Sequence, residues 1–265
     1  MRIFSHRGLI MGTPNGVRQV FTEAAFLSGH QQGVRHYDLD LIWSADGHLF
    51  VAHPTDLKQR RRRPRESVSV FDVSTKELEQ SDGSGLSPLR VTRLLELTAQ
   101  LGSNVTLALD LKGAGRAEYR PVLDWLHAQV VQRRLQHSVW LWVVALEDAE
   151  RLRGRDVTVR LGKPIYDVGA RQGPEGLECG AQIGPRDAQL FSFLGPSVKC
   201  ANSNLLHDAN AAPFFRRRKG SGWLVWVVDD LEALRALHAA GVQQVISNRP
   251  LALQHDACQH GVGGE

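Results

Sequence analysis

The chain has 265 residues, 42% of them hydrophobic and 23% charged, which is enough apolar material for one substantial core. A formal net charge of +4 favours anionic partners without choosing among phosphates, nucleic acid and acidic membrane surfaces. Three widely spaced cysteines, Cys179, Cys200 and Cys258, argue against a disulfide framework and show no metal-binding spacing.

Short β-branched or apolar runs alternate with longer helical patterns, the rhythm of βα units around a parallel sheet. The first run, 2–6, ends in His6-Arg7-Gly8. No long apolar stretch follows the first charge, so no signal peptide is expected, and no run is long enough to span a bilayer. A reducing, cytoplasmic setting is the expectation. A helical pattern covers 16–30, with Gly29 placed as its C-cap.

The second strand, 34–41, carries the first chemical signal. Side chains on a strand alternate faces, so Asp38 and Asp40 share one face while Tyr37, Leu39 and Leu41 share the other. The apolar face suits helix packing outside a barrel, which turns both aspartates inward. Two inward carboxylates repel and are costly to bury alone, and a hard divalent cation with oxygen ligands, Mg²⁺ or Ca²⁺, would compensate them. After the Asp46-Gly47 turn, a short apolar run leads to His53. The polar stretch 54–89 reads as an insertion beside the barrel mouth. It holds Arg60 to Arg63 and Arg65, a run expected to be a solvated loop or helix end.

A helix at 90–101 and a strand at 105–112 follow. Val105, Leu107, Leu109 and Leu111 face outward, and Thr106, Ala108, Asp110 and Lys112 face inward. Asp110 thereby becomes a third carboxylate at the same depth, and Lys112 sits one position nearer the mouth. It could hold a phosphate oxygen or neutralise the aspartates, and spacing alone leaves a metal site and a structural ion-pair cluster both open. The remaining elements are helices at 118–135, 146–153 and 230–240, the last closed by Gly241, and strands at 138–145, 157–163, 197–200, 222–228 and 243–247. Eight strands in this order fit a (β/α)8 barrel, here a single domain over 1–265.

The chemistry-bearing residues suit phosphodiester cleavage. A histidine titrates near neutral pH, so His6 and His53 can take a proton from a nucleophile and give one to a leaving oxygen. Arg7 offers a forked donor for a phosphate oxygen. The other histidines, among them His127, His137, His255 and His260, read as structural or exposed. Nucleic-acid binding is not expected, since the basic runs lack interleaved aromatics.

Taken in order, Ser5-His6-Arg7-Gly8, Pro14-Asn15, Asp38-Leu39-Asp40, Ala45-Asp46-Gly47, Val51-Ala52-His53, Ser74 to Leu78, Leu109-Asp110-Leu111-Lys112, Val225 to Val228 and Gly241 to Pro250 resemble the glycerophosphodiester phosphodiesterase family. The resemblance runs from residue 2 to about 250 and implies a (β/α)8 TIM barrel with an insertion after the second strand. It also implies acid–base catalysis by His6 and His53, and a divalent cation, Mg²⁺ or Ca²⁺, on Asp38, Asp40 and Asp110. Arg7 and Lys112 would contact phosphate, and Trp226 would line the pocket. The expected partner is a small-molecule phosphodiester or lysophospholipid, with transient contact at a membrane surface.

The sequence departs from the family at several points. Aspartate stands at 38 and 110 where glutamate is usual, and Pro14 where a glutamate usually precedes Asn15. Pro54 follows the second histidine where an acid is usual, and Asn248 replaces a common aspartate. The Leu-Asp-Leu-Lys version of the third-strand motif is similar to the sphingomyelinase D-type phospholipases D, which keeps formation of a cyclic phosphate beside hydrolysis. A non-catalytic barrel that binds phospholipid head groups is the reading from a different class.

Overall fold

The computed structural model describes residues 1–8, 21–54, 69–79, 87–143, 146–152, 158–161, 166–168, 172–173, 176–177, 197–200, 224–239 and 241–262. Its strands are β1 (Arg2–His6), β2 (His36–Trp43), β3 (Leu49–Val51), β4 (Thr106–Leu111), β5 (Val139–Val143), β6 (Thr158–Leu161), β7 (Tyr166–Val168), β8 (Gln172–Gly173), β9 (Gly176–Leu177), β10 (Ser197–Cys200), β11 (Leu224–Trp226) and β12 (Gln244–Ser247). Its helices are α1 (Glu23–Gln31), α2 (Thr75–Glu79), α3 (Val91–Leu101), α4 (Tyr119–Gln132), α5 (Leu146–Leu152), α6 (Leu231–Ala239) and α7 (Pro250–Gln259).

The main sheet runs β6-β5-β4-β2-β1-β12-β11-β10-β7, every pairing on that path being parallel. The first strand lies between the second and the last, which brings the two ends of the chain together as an α/β barrel requires. The expected TIM-barrel architecture is thus the observed one, with strands close to their expected positions. Six elements were not anticipated: β3, the short strands β7, β8 and β9, and the helices α2 and α7. β3 folds back on β2 as an antiparallel hairpin, and α7, opened by Pro250 at its first turn, follows β12.

The alternation read from the sequence divides the core into two layers. Tyr37, Leu39, Leu41, Leu107, Leu109 and Leu111 are fully buried on the outer face, against Phe26 of α1, Leu94 and Leu95 of α3, and Leu123 and Leu126 of α4. Phe4, Ala108, Trp140, Trp142, Leu224 and Ile246 form a separate inner cluster. The inner layer is apolar through the middle and turns polar where β1, β2 and β4 end.

Gly241 closes α6 as expected: it has φ +89°, its N–H donates to His238 O (2.9 Å) and that of Val242 to Leu237 O (2.9 Å). Gly29 does not close α1. The helix continues to Gln31, and Gly33 at φ +101° takes the left-handed position, with Val34 N–H donating to Gly29 O (2.9 Å). Gly29 is therefore the carbonyl end of the closing six-residue bond, four positions before the residue that turns the chain.

The part of the 54–89 stretch that is described is tied to the β2–β3 hairpin. Asp46 accepts from the backbone N–H and the hydroxyl of Thr75, at 2.8 Å each, and Ala45 N–H donates to Val73 O (2.8 Å). Hydrogen bonds from Ser44 and the Thr75 backbone hold the Asp46 carboxyl down at about 2, so this link persists until the pH falls toward that value. The basic runs at 60–65 and 216–219, Asn15, Trp223 and Cys179 lie outside the described residues. Cys258 is exposed on α7. No helix among the described residues is long and apolar enough to cross a membrane.

Candidate active site

The ends of β1, β2 and β4 bring six of the eight candidate residues together. In the strand register His6 lies opposite Asp38, and Asp40 opposite Asp110. Arg7 and Lys112 follow directly on their strands. Arg7 has φ +54° and Gly8 φ +71°, so the chain turns sharply out of β1 and sends the Arg7 side chain back toward Asp40, Nε to Oδ2 at 3.2 Å. Glycine is required at 8, because a Cβ there would stand 2.1 Å from the Phe21 ring. Gly8→Ala is expected to cost about 1–3 kcal/mol through overpacking. An unchanged melting temperature would show that the ring does not press on this turn.

Three carboxylates meet two cations here. Asp38 and Asp40 are 9% and 8% exposed. The Lys112 ammonium lies 2.7 Å from Asp40 Oδ1 and is also hydrogen-bonded to Asp110 Oδ2. Burial alone would lower the Lys112 pKa, but the Asp110 and Asp40 carboxylates more than reverse this and hold it above the usual lysine range. Asp110 is pushed up by burial, Lys112 pulling it back and Asp40 adding to the rise. Asp38 is pushed well above the carboxylate range by burial first, then by Asp40 and Asp110, with Lys112 only partly offsetting them.

Among the described residues, no side-chain hydrogen bond or ion pair reaches the Asp38 carboxyl, and Asp110 Oδ1 is buried without a hydrogen-bond partner. Nor do the described residues hold three ligands already gathered around one point; the ammonium bridges two of the carboxylates instead. The donor set nevertheless suits a hard divalent cation. It has three carboxylate oxygen donors, two of them on buried residues and the third half-buried, and one carboxylate that burial makes costly to ionise alone.

His6 is held from its other side. Its Nδ1 lies 2.7 Å from Asn248 Oδ1. Asn248 Nδ2 donates to Asp229 Oδ2 (2.8 Å), and the Asn248 N–H and the Ser247 hydroxyl donate to Asp229 Oδ1 (2.7 and 2.9 Å). An ionised carboxylate only accepts, so it fixes which end of the amide faces it. The amide oxygen is left for His6, whose Nδ1 must carry the hydrogen. Nε2 is then the nitrogen that can exchange a proton.

The sequence reading marked Asn248 only as a departure and missed Asp229. The available signal was a carboxylate pair, Asp229-Asp230, immediately after an apolar strand. The pair divides its work, since Asp230 caps α6 through the Ala233 N–H (2.8 Å).

His53 stands two residues beyond β3 and is half-buried. Its neighbour Ala52 is anchored to β2, the Ala52 N–H donating to the backbone carbonyl of Asp40 (3.0 Å). Trp226 ends β11, opposite Ile246 on β12, and packs half-buried against the inner aromatic cluster. The arrangement offers an imidazole oriented by Asn248, a second histidine just beyond β3, two side chains able to pair with a phosphate, and a half-buried indole at the end of β11.

No protein-family model matches the sequence, and no curated protein matches it. Solved structures do. The glycerophosphodiester phosphodiesterase of Thermotoga maritima is similar at TM-score 0.66 and 18% identity, over 96% of this chain and 96% of that one. One from Parabacteroides distasonis is similar at TM-score 0.67 and 16% identity, over 98% of each chain. A phosphodiesterase of Oleispira antarctica, solved in complex with the product sn-glycerol-3-phosphate, is similar at TM-score 0.63 and 16% identity, over 97% of each chain. At these identities the likeness is one of fold, and it extends over the whole barrel. It agrees with the resemblance carried by the motifs.

Proposed function

We propose that the chain is a phosphoric diester hydrolase that cleaves glycerophosphodiesters or related lysophospholipid head groups, with His6 and His53 as its acid–base pair. The observation that most supports this is the hydrogen bond from His6 Nδ1 to Asn248 at the same strand ends as three carboxylates and two cationic side chains. The product bound by the Oleispira antarctica phosphodiesterase supports a glycerol-bearing substrate.

In this reading Arg7 and Lys112 hold the phosphoryl oxygens and stabilise the charge that builds on them. One histidine takes the proton of the attacking water, the bond from phosphorus to the leaving oxygen breaks, and the other histidine protonates that oxygen. His6 would do its part through Nε2. Asp38, Asp40 and Asp110 would hold a divalent cation, Mg²⁺ or Ca²⁺, which when bound supplies further charge stabilisation. Trp226 would face the alcohol. A lysophospholipid substrate would bring the barrel mouth into transient contact with a membrane surface.

The test is turnover of glycerophosphocholine and lysophosphatidylcholine followed by phosphorus NMR. An open monoester is the expected product. A cyclic phosphate would instead assign attack by a neighbouring substrate hydroxyl. Tight head-group binding with no turnover would assign a binding barrel.

A further inference from the structure

Trp142 is a feature that the proposed reaction leaves unused. β5 alternates so that Trp140 and Trp142 both enter the inner cluster, and Trp142 stands opposite Asp110 in register, as Asp110 stands opposite Asp40. The three residues therefore share the inner face of adjacent strands, toward the end where the candidate residues gather. Trp142 is 3% exposed, and its indole Nε1–H is buried without a hydrogen-bond partner. On the neighbouring strand, Asp110 Oδ1 is a buried acceptor that also lacks one, its Oδ2 being taken by Lys112. Buried polar groups are nearly always satisfied, so an unpartnered donor and an unpartnered acceptor on register-paired residues of adjacent strands call for a partner the protein does not itself supply.

Chemistry narrows what that is. A phosphoryl oxygen would accept from the indole but would be repelled by the carboxylate. An ammonium would satisfy the carboxylate but offers nothing to the indole. A hydroxyl accepts from one and donates to the other. A carboxylate has about four lone-pair sites, so Asp110 can take this bond beside Lys112 and a cation.

We infer that Trp142 is a specificity-determining residue that binds a hydroxyl of the substrate's alcohol, with Asp110 as the second partner. The inference rests on the phosphodiesterase reading and deepens it: the site selects a hydroxylated alcohol phosphate over an alkyl phosphate of the same length.

The probes are glycerol 3-phosphate and n-propyl phosphate, each titrated into ¹⁵N-labelled protein while the tryptophan indole resonances are followed. The Trp142 resonance is identified by its loss in Trp142→Phe, which keeps an aromatic ring and removes the N–H. Glycerol 3-phosphate is expected to move that resonance downfield and propyl phosphate is not. The wild type should bind the former about tenfold more tightly, the size of one well-made hydrogen bond, and Trp142→Phe should bind both alike. Equal shifts with both ligands would hand the indole to a phosphoryl oxygen or a water and overturn the inference, as would an unchanged preference in Trp142→Phe. If neither phosphate binds while phosphodiesters are still hydrolysed, this inference alone falls. If neither binds and nothing is hydrolysed, the function reading falls with it.

Discussion

Replacing His6 with alanine is expected to lower kcat for phosphodiester cleavage by about 10²- to 10⁴-fold, the usual contribution of one positioned acid–base group. His53→Ala should do the same, and the double variant should lose little more than either single one, because two groups that act in one proton relay are not additive. The geometry around His6 adds a finer expectation. Asn248 is bonded to the imidazole edge and to Asp229, so Asn248→Leu leaves both histidines and the phosphate-binding side chains in place. It removes the acceptor that keeps the hydrogen on Nδ1. Its kcat should fall with little change in KM, and the ¹⁵N shifts of His6 should report a mixture of tautomers in place of one. Wild-type rates in His6→Ala and His53→Ala would remove the acid–base pair from the proposal. A single Nδ1–H tautomer in Asn248→Leu would show that the relay does not set it.

The relay also shows where the sequence could be read and where it could not. Period-two alternation over 34–41 and 105–112 is a local property, so the order of residues alone puts Asp38, Asp40, Asp110 and Lys112 on the inner face. The register pairs then set Asp40 against Asp110. The partner of His6 is 242 residues away along the chain, and no local pattern announces it. It becomes a neighbour only because the first and last strands of the barrel pair. The same limit hid Trp142, which reads as one more aromatic in an apolar strand until β5 is set beside β4. It applied in milder form to α1, where Gly29 and Gly33 both suit a helix end and only the hydrogen bonds show which residue turns the chain. The spacing also left the acidic cluster divided between a metal site and an ion-pair cluster. Lys112 bridging Asp40 and Asp110 belongs to the second picture, and the uncompensated Asp38 belongs to the first.

Asp38 offers the measurement that separates the two. Its folded-state pKa lies above that of an ordinary carboxylate, so the native state holds a proton that the unfolded chain gives up. Stability from this group is full at acid pH and is lost as the pH rises through the raised value. At neutral pH, with no cation present, Asp38→Asn should therefore raise the melting temperature, because an amide of nearly the same shape carries no charge to bury. A divalent cation held as proposed would reverse the comparison, since it would bind the ionised native cluster and not the unfolded chain. At a hundred times its dissociation constant it should stabilise the wild type by about 2.7 kcal/mol. That corresponds to roughly 5–10 °C in Tm for a chain of this size. The Asp38→Asn protein should respond far less to Mg²⁺ or Ca²⁺ and should lose most of its turnover, while EDTA should silence the wild type and added cation restore it. A wild-type Tm that does not move with millimolar Mg²⁺ or Ca²⁺, together with activity retained in EDTA and in Asp38→Asn, would leave the carboxylates as an ion-pair cluster. Lys112 would then be their counterion, and Arg7 would carry the phosphate contact alone.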